Sequence, residues 1–168
     1  MIAAIDVQYE TNTAHAGIVL FSNWNDAAPF ETDTHQCVVT ADYVPGEFYQ
    51  RELPVLTPLI DLHRQNIQTL VVDSYVDLDA TGSPGLGRYL FEHYGSAIPV
   101  VGVAKSRFRD SNHAVEICRG NSRRPLFVTA AGISVRDAAD KIQAMAGLSR
   151  LPTLIKLADS IARNTNHA

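Results

Sequence analysis

The sequence has few cysteines and no long apolar run, and these absences limit the class of protein it can be. It holds only two cysteines, Cys37 and Cys118, and they form no CxxC pair, so we expect neither a disulfide framework nor a zinc site. No apolar run approaches the roughly 18 residues that a bilayer span requires, and no basic–apolar leader opens the sequence. We therefore expect a soluble, cytoplasmic protein that has no membrane partner.

The sequence also has no surplus of positive charge. It carries 14 Lys and Arg against 18 Asp and Glu, for a formal net charge of −4. This balance excludes a histone-like binder that works through bulk charge, although a local basic stripe can still neutralise phosphates. A stripe of this kind follows one strand and consists of Lys105, Arg107, Arg109, Arg119, Arg123 and Arg124.

Length and hydrophobic pattern indicate one α/β domain over residues 1–168. A chain of 168 residues with 46% hydrophobic residues can bury a substantial core. Three short strands separated by turns favour an antiparallel meander, and the apolar strands that follow helices favour parallel pairing. The sequence therefore predicts a mixed sheet, with three antiparallel strands followed by parallel strands, flanked by helices.

The individual elements follow from periodicity and turn residues. Strands are predicted at Ile2–Tyr9, His15–Ser22, Gln36–Ala41, Thr69–Tyr75 and Ile98–Ala104, with a hairpin of Ala114–Cys118 and Pro125–Thr129. Helices are predicted up to about Gln65 and at Arg88–Tyr94, Val135–Met145 and Thr153–Asn164. Within the first helix, Pro54 is expected in the first turn, and Pro58 is expected to kink or break the helix.

Three acidic residues occupy positions where a carboxylate is expected to have a partner. Asp6 interrupts an apolar strand, Asp73 ends a central strand, and Glu52 lies near the start of the first long helix. If the two strands are neighbours, the carboxylates converge and repel one another unless a cation such as Mg²⁺ lies between them. Lys105 could then neutralise charge on a phosphate. The alternative is that these are ordinary strand-end acids and a surface lysine, and the residues alone leave both interpretations open.

Five segments of the chain, in order, form a recognisable series. They are Ile5-Asp6-Val7; Tyr43-Val44-Pro45-Gly46 through Arg51-Glu52-Leu53-Pro54; Val71-Val72-Asp73; Val101-Gly102-Val103-Ala104-Lys105; and a C-terminal part with Arg124-Pro125-Leu126-Phe127-Val128, Arg150-Leu151-Pro152 and Ala158-Asp159. The series resembles the endonuclease V family of nucleases, which have an RNase H-like fold. The resemblance covers most of the chain.

This resemblance implies a Mg²⁺- or Mn²⁺-dependent endonuclease that acts in DNA repair. Its substrate would be DNA or RNA that contains inosine, a deaminated base. By position, Asp6, Glu52 and Asp73 would hold the metal, and Lys105 would assist at the phosphate.

The resemblance also implies how nucleic acid is recognised. Tyr43 would insert as a wedge where the base leaves the stack, at an angle set by the turn of Pro45 and Gly46. Arg107 and Arg109 would follow the phosphate backbone.

The sequence departs from the family pattern near the site. Where the family usually has Gly-His-Gly lining the base pocket, this chain has Ser74-Tyr75-Val76, so Ser74 and Tyr75 are expected to border that pocket. Ala131 stands where the family has a histidine near the metal. Asp137 or Asp140 could replace that histidine, or both could be exposed helix acids.

These departures keep two alternatives open. The chain could be a binding or accessory module that has lost turnover. It could also be an RNase H-like nuclease with structure-directed specificity.

Overall fold

The structure, a computed structural model, describes residues 1–38, 48–109 and 111–164. The strands are β1 (Ile2–Glu10), β2 (Thr13–Phe21), β3 (Glu31–Val38), β4 (Thr69–Val72), β5 (Val100–Ala104), β6 (Val115–Ile117) and β7 (Leu126–Ala131). The α-helices are α1 (Phe48–His63), α2 (Leu86–His93), α3 (Val135–Ala144) and α4 (Thr153–Asn164), and a short 3-10 helix spans Arg64–Asn66. The predicted turn at Pro45-Gly46 and the proposed wedge Tyr43 lie outside the described residues.

The seven strands form one mixed sheet in the order β3-β2-β1-β4-β5-β7-β6. The strands β1, β2 and β3 pair antiparallel, and β1, β4 and β5 pair parallel, as the sequence predicted. The hairpin is also present, with β7 antiparallel to both β5 and β6. The fold prediction is therefore confirmed.

The strand β3 begins at Glu31, five residues before the predicted start at Gln36. It lies at the edge of the sheet, where Glu31 pairs with Leu20 of β2. Its backbone pairs on one side only, and much of the strand is exposed, so it shows no clear apolar alternation. Residues 31–34 are polar, so their hydrophobic pattern does not indicate a strand.

The helix α1 is continuous through both prolines, so Pro58 does not break it, and Pro54 does not lie in the first turn as predicted. Pro54 is the seventh residue of the helix rather than part of its first turn. A proline inside a helix costs about 3 kcal/mol, but burying one large apolar side chain contributes roughly 1.5–3 kcal/mol. The helix buries four such side chains against the sheet, namely Val55, Leu56, Leu59 and Ile60. Tertiary packing therefore maintains a helix that local propensity would end.

Helices cover both faces of the sheet. The helices α1 and α2 pack on the face that carries Ala3 and Ile5. The helices α3 and α4 pack on the face that carries Ile2 and Ala4. In the described part of the chain, no helix is long and apolar enough to cross a membrane.

The parallel strands bring their carboxyl ends to one edge of the sheet. Ile5 of β1 is in register with Val72, the last residue of β4, so Asp6 and Asp73 follow side by side. Val72 is in register with Gly102 of β5, and Lys105 directly follows that strand. Topology alone therefore places these three side chains at one edge.

Gly102 is expected to be intolerant of any side chain. A Cβ added there would lie 2.6 Å from the Thr129 hydroxyl and closer still to the carbonyl of Ser74. We predict that Gly102→Ala destabilises the protein by about 1–3 kcal/mol, because the turn after Asp73 must move. Thermal unfolding of the variant beside the wild type measures this. An unchanged Tm would contradict the close packing described here.

Candidate active site at the carboxyl edge of the sheet

The three predicted carboxylates line one small cavity. Asp6 comes from β1, Asp73 follows β4, and Glu52 is the fifth residue of α1. The cavity has a volume of about 30 Å³, which is room for roughly one water-sized group. The structure thus brings together side chains that are 67 residues apart in sequence, from Asp6 to Asp73.

Burial and mutual repulsion disfavour the charged forms of two of these acids. Burial, followed by repulsion from Asp6 and Asp73, raises the pKa of Glu52 to about 7. Burial, followed by repulsion from Asp73, raises the pKa of Asp6 to about 7 as well. Acids that repel in this way form an oxygen-rich donor set suited to a hard divalent cation. The residues present therefore fit a metal of the Mg²⁺ type.

Two of the three carboxylates accept hydrogen bonds from the protein. Asp6 accepts hydrogen bonds from the backbone N–H of Val7 at 2.8 Å and from Gln8 Nε2 at 3.3 Å, and Asp73 accepts one from Lys105 Nζ. Within residues 1–38, 48–109 and 111–164, no three acidic, histidine or cysteine side chains are already arranged to hold a metal. Asp6 and Asp73 therefore already accept hydrogen bonds from the protein at the cavity where a cation would bind.

Lys105 provides a cation directly beside Asp73. Burial lowers the pKa of this lysine, but the hydrogen bond and charge of Asp73 outweigh burial, so its pKa lies above the ordinary value and it stays protonated. Its backbone is held by Arg150, whose Nη2 donates to the carbonyls of Lys105 and Pro125, the latter at 2.6 Å. Arg150 therefore joins the end of β5 to the start of β7.

A fourth acid, Asp159 of α4, lies close to the three predicted ones. Gln8 Nε2 connects it to Asp6, at 3.1 Å from Asp159 Oδ1 and 3.3 Å from Asp6 Oδ2. Hydrogen bonds from Arg163, with Nη2 at 2.9 Å from Oδ1, hold the pKa of Asp159 below its ordinary value. In the sequence, Asp159 belongs to a segment that resembles the family, but no role follows from that position.

One residue of the sequence indicates that the helix carrying Asp159 packs close to the sheet. It is Gly17, a glycine inside the buried strand β2. Gly17 is the register partner of Asp6. An added Cβ would lie 2.8 Å from the carbonyl of Ala158 and 2.9 Å from the amide of Ala162. Such a glycine indicates close approach of another backbone, here that of α4.

The positions proposed as replacements for a metal-near histidine lie elsewhere. Ala131 pairs with Val100 at the start of β5, whereas Lys105 follows the other end of that strand. A side chain at position 131 is therefore four residues, about 13 Å, away from the Lys105 end of the sheet. Asp137 and Asp140 are exposed on α3.

A larger pocket of about 370 Å³ adjoins the carboxylates and shares Glu52 and Asp73 with the smaller cavity. Ser74, a predicted substrate residue, lines it, as does Arg109. Its remaining lining residues are Tyr49, Leu78, Pro84, Gly85, Leu86, Tyr89 and Phe108. The rings of Tyr49 and Tyr89 stack with centroids 3.6 Å apart and form one wall. No feature of the sequence distinguishes these aromatic side chains from core residues.

Tyr75 does not line this pocket. Its side chain is buried, and its hydroxyl donates to the carbonyl of Ser106 at 3.0 Å and accepts from the amide of Phe108 at 3.2 Å. Tyr75 therefore anchors the loop that follows β5. Arg107, a second residue of that loop, pairs with Glu116 of β6.

The mixed seven-stranded sheet with helices on both faces, in which Asp6 lies within β1 and Asp73 directly follows β4, is an RNase H-like fold. The sequence model of the endonuclease V family matches residues 1–160. The chain therefore belongs to the endonuclease V family. None of the curated protein sequences matches it significantly.

Solved structures agree with this fold. Human endonuclease V has a TM-score of 0.78 at 21% identity, covering 96% of this chain and 82% of that one. Bacillus subtilis endonuclease V has a TM-score of 0.80 at 17% identity, covering 96% and 78%. Ciona intestinalis endonuclease V, solved with DNA containing an inosine followed by a ribo-adenosine, has a TM-score of 0.80 at 17% identity, covering 96% and 84%.

Proposed function

We propose that this protein is a divalent-metal-dependent endonuclease that cleaves nucleic acid near a deaminated base such as inosine. The observation that carries the proposal is the cavity lined by Asp6, Glu52 and Asp73 beside an aromatic pocket. A nuclease for a modified base needs such a pair of sites, one for the phosphodiester and one for the base.

In this proposal the three carboxylates hold Mg²⁺ or Mn²⁺. The bound metal would activate water and stabilise the departing oxygen of the phosphodiester. Lys105 supplies positive charge at the phosphate, a role that its contact with Asp73 supports. Gln8 and Asp159 orient Asp6, since the amide of Gln8 bonds to both acids.

The larger pocket would receive the base once it leaves the stack. Removing a base from the stack costs a few kcal/mol, and least when the base is mispaired. Phe108 and the stacked tyrosines offer apolar surface, and Ser74 offers a hydroxyl. By the resemblance, Tyr43 would fill the gap that the base leaves in the stack, and the turn of Pro45 and Gly46 would set its angle. Arg107 would contact the phosphate backbone.

The test is cleavage of matched oligonucleotides by the purified protein with Mn²⁺. Single- and double-stranded DNA and RNA would each contain one inosine, and otherwise identical controls would contain adenine or guanine there. We expect cuts near inosine and none in the controls. A folded protein that cuts none of them would contradict the proposal, and binding without cleavage would favour the accessory module. Cleavage of branched or flapped substrates alone would favour structure-directed specificity.

Arg150 is expected to act as a positioning residue for Lys105. Arg150→Met removes the donor shared by the carbonyls of Lys105 and Pro125. We predict a kcat roughly ten-fold lower with little change in KM, since a displaced lysine weakens transition-state stabilisation more than binding. Steady-state kinetics measure the two constants. A KM effect without a kcat effect, or rescue by simple cooling, would assign Arg150 a purely structural role.

A further inference from the structure

Arg109 differs from the other arginines because it lines the larger pocket, here called the base pocket, and has no ion-pair partner in the described part of the chain. Arg88, Arg107 and Arg163 each pair with a carboxylate, namely that of Asp77, Glu116 or Asp159. Arg109 lines the pocket instead, with its guanidinium carbon 5.3 Å from the ring centroid of Phe108. Among the described residues that line the pocket, it is the one that carries positive charge.

Described residues on both sides of Arg109 are held by hydrogen bonds. The hydroxyl of Tyr75 bonds to the carbonyl of Ser106 and the amide of Phe108, and the amide of Ser111 donates to the carbonyl of Phe108 at 3.1 Å. Arg109 itself has a φ of +42°, a left-handed conformation that is uncommon outside glycine. Such backbone strain is retained where the surrounding contacts impose it, and it is common at ligand sites.

The pocket offers few other groups that could distinguish one base from another. Its walls are largely apolar or aromatic, and Glu52 and Asp73, which only accept hydrogen bonds when ionised, lie at the end shared with the carboxylate cavity. A guanidinium donates two parallel N–H groups, which match the O6 and N7 acceptors of a 6-oxopurine. Adenine presents an amino donor at the same edge, so it would meet Arg109 donor to donor.

We propose that Arg109 is a specificity-determining residue, which binds the O6/N7 edge of a 6-oxopurine in this pocket. The inference rests on the proposed function and assigns the recognition of its base to one side chain. Guanine has the same edge, but its stable pairing with cytosine makes it costlier to remove from the stack. Arg109 would thus reject adenine, and the cost of base flipping would disfavour guanine.

The test compares the wild type and Arg109→Met on single-stranded oligonucleotides that differ at one base. The bases are hypoxanthine, 7-deazahypoxanthine, adenine and unsubstituted purine, which lacks O6. Fluorescence anisotropy in Ca²⁺ measures binding separately from cleavage. We expect the wild type to bind hypoxanthine roughly ten-fold more tightly than unsubstituted purine, and Arg109→Met to bind both equally. Losing N7 should likewise weaken only the wild type.

Two further variants make the result specific. Arg109→Lys keeps the charge but loses the paired donors, so it should resemble Arg109→Met in discrimination. Arg136→Met removes an exposed arginine of α3 that does not line the pocket, and should leave discrimination intact. Thermal melting confirms that each variant is folded.

The proposal would be overturned if Arg109→Met weakened binding of all four oligonucleotides equally, because that result indicates a phosphate contact. Unchanged binding would also overturn it. If the wild type discriminates by this pattern yet cuts nothing with Mn²⁺, the proposed function fails while the role of Arg109 stands. If the wild type cuts inosine substrates and Arg109→Met keeps full discrimination, the proposed function stands and the role of Arg109 fails.

Discussion

Asp73→Asn is expected to abolish cleavage while leaving nucleic-acid binding nearly intact. The change removes one carboxylate of the cavity and the anionic partner of Lys105, yet it keeps the shape of the side chain. Metal catalysis of this kind contributes several kcal/mol to the transition state, so we predict a loss of roughly 10²–10⁴-fold in single-turnover rate. Rapid-quench cleavage with Mn²⁺ measures the rate, and anisotropy measures binding.

Asp140→Asn is the matched control for this variant. It makes the same chemical change at an exposed position of α3 and should cleave like the wild type. Loss of activity in both variants would implicate Asp140 as a substitute acid. Full activity in Asp73→Asn would remove Asp73 from the proposed metal site.

The meeting of Asp6 and Asp73 could be predicted because it depends on topology. Each acid follows or interrupts an apolar run, and neighbouring parallel strands bring their carboxyl ends to the same edge. The place of Lys105 follows from the same rule, since it comes directly after the next parallel strand. Glu52 is different, because its place depends on how α1 packs over the sheet, and the residues alone left open whether it approaches the two aspartates.

The base pocket could not be predicted from the residues because its walls come from separate elements. Tyr49 belongs to α1, Tyr89 to α2 and Phe108 to the loop after β5. Each has the pattern of an ordinary packing residue, and only their meeting creates the pocket. Tyr75 is the opposite case. It was expected to border the base, but its side chain is buried and anchors a loop.

Gly17 carries a sequence signal for the fourth acid. A glycine in the interior of a buried strand indicates close backbone contact, and here the contact is with α4. That contact brings Asp159 toward Asp6 through Gln8. The partner helix itself is not specified by the glycine, so the fourth acid required the structure.

Without metal, the stability of the protein is expected to fall as pH rises from about 4 to about 7. Folding raises the pKa of Asp6 from 3.8 and that of Glu52 from 4.5, in each case to about 7. In this window the folded state binds more protons than the unfolded state, so the free energy of unfolding decreases with pH and levels off above it. Thermal unfolding in EDTA across this range measures the slope.

Glu52→Gln separates the metal site from the rest of the protein. In EDTA at pH 8 the variant should be more stable than the wild type by on the order of 1 kcal/mol or more, because it buries no charge there. At pH 4 the two should be alike. Saturating Mn²⁺ should reverse the order, since a ligand at 100 times its Kd adds about 2.7 kcal/mol to the protein that binds it.

Glu31→Gln provides the control, because Glu31 is exposed in β3 at the far edge of the sheet. It should follow the wild type at every pH and gain the same stability from Mn²⁺. If Glu52→Gln instead gains as much from Mn²⁺ as the wild type, Glu52 is not a metal ligand. If it is also no more stable in EDTA at pH 8, the three carboxylates do not repel one another as their shared cavity requires.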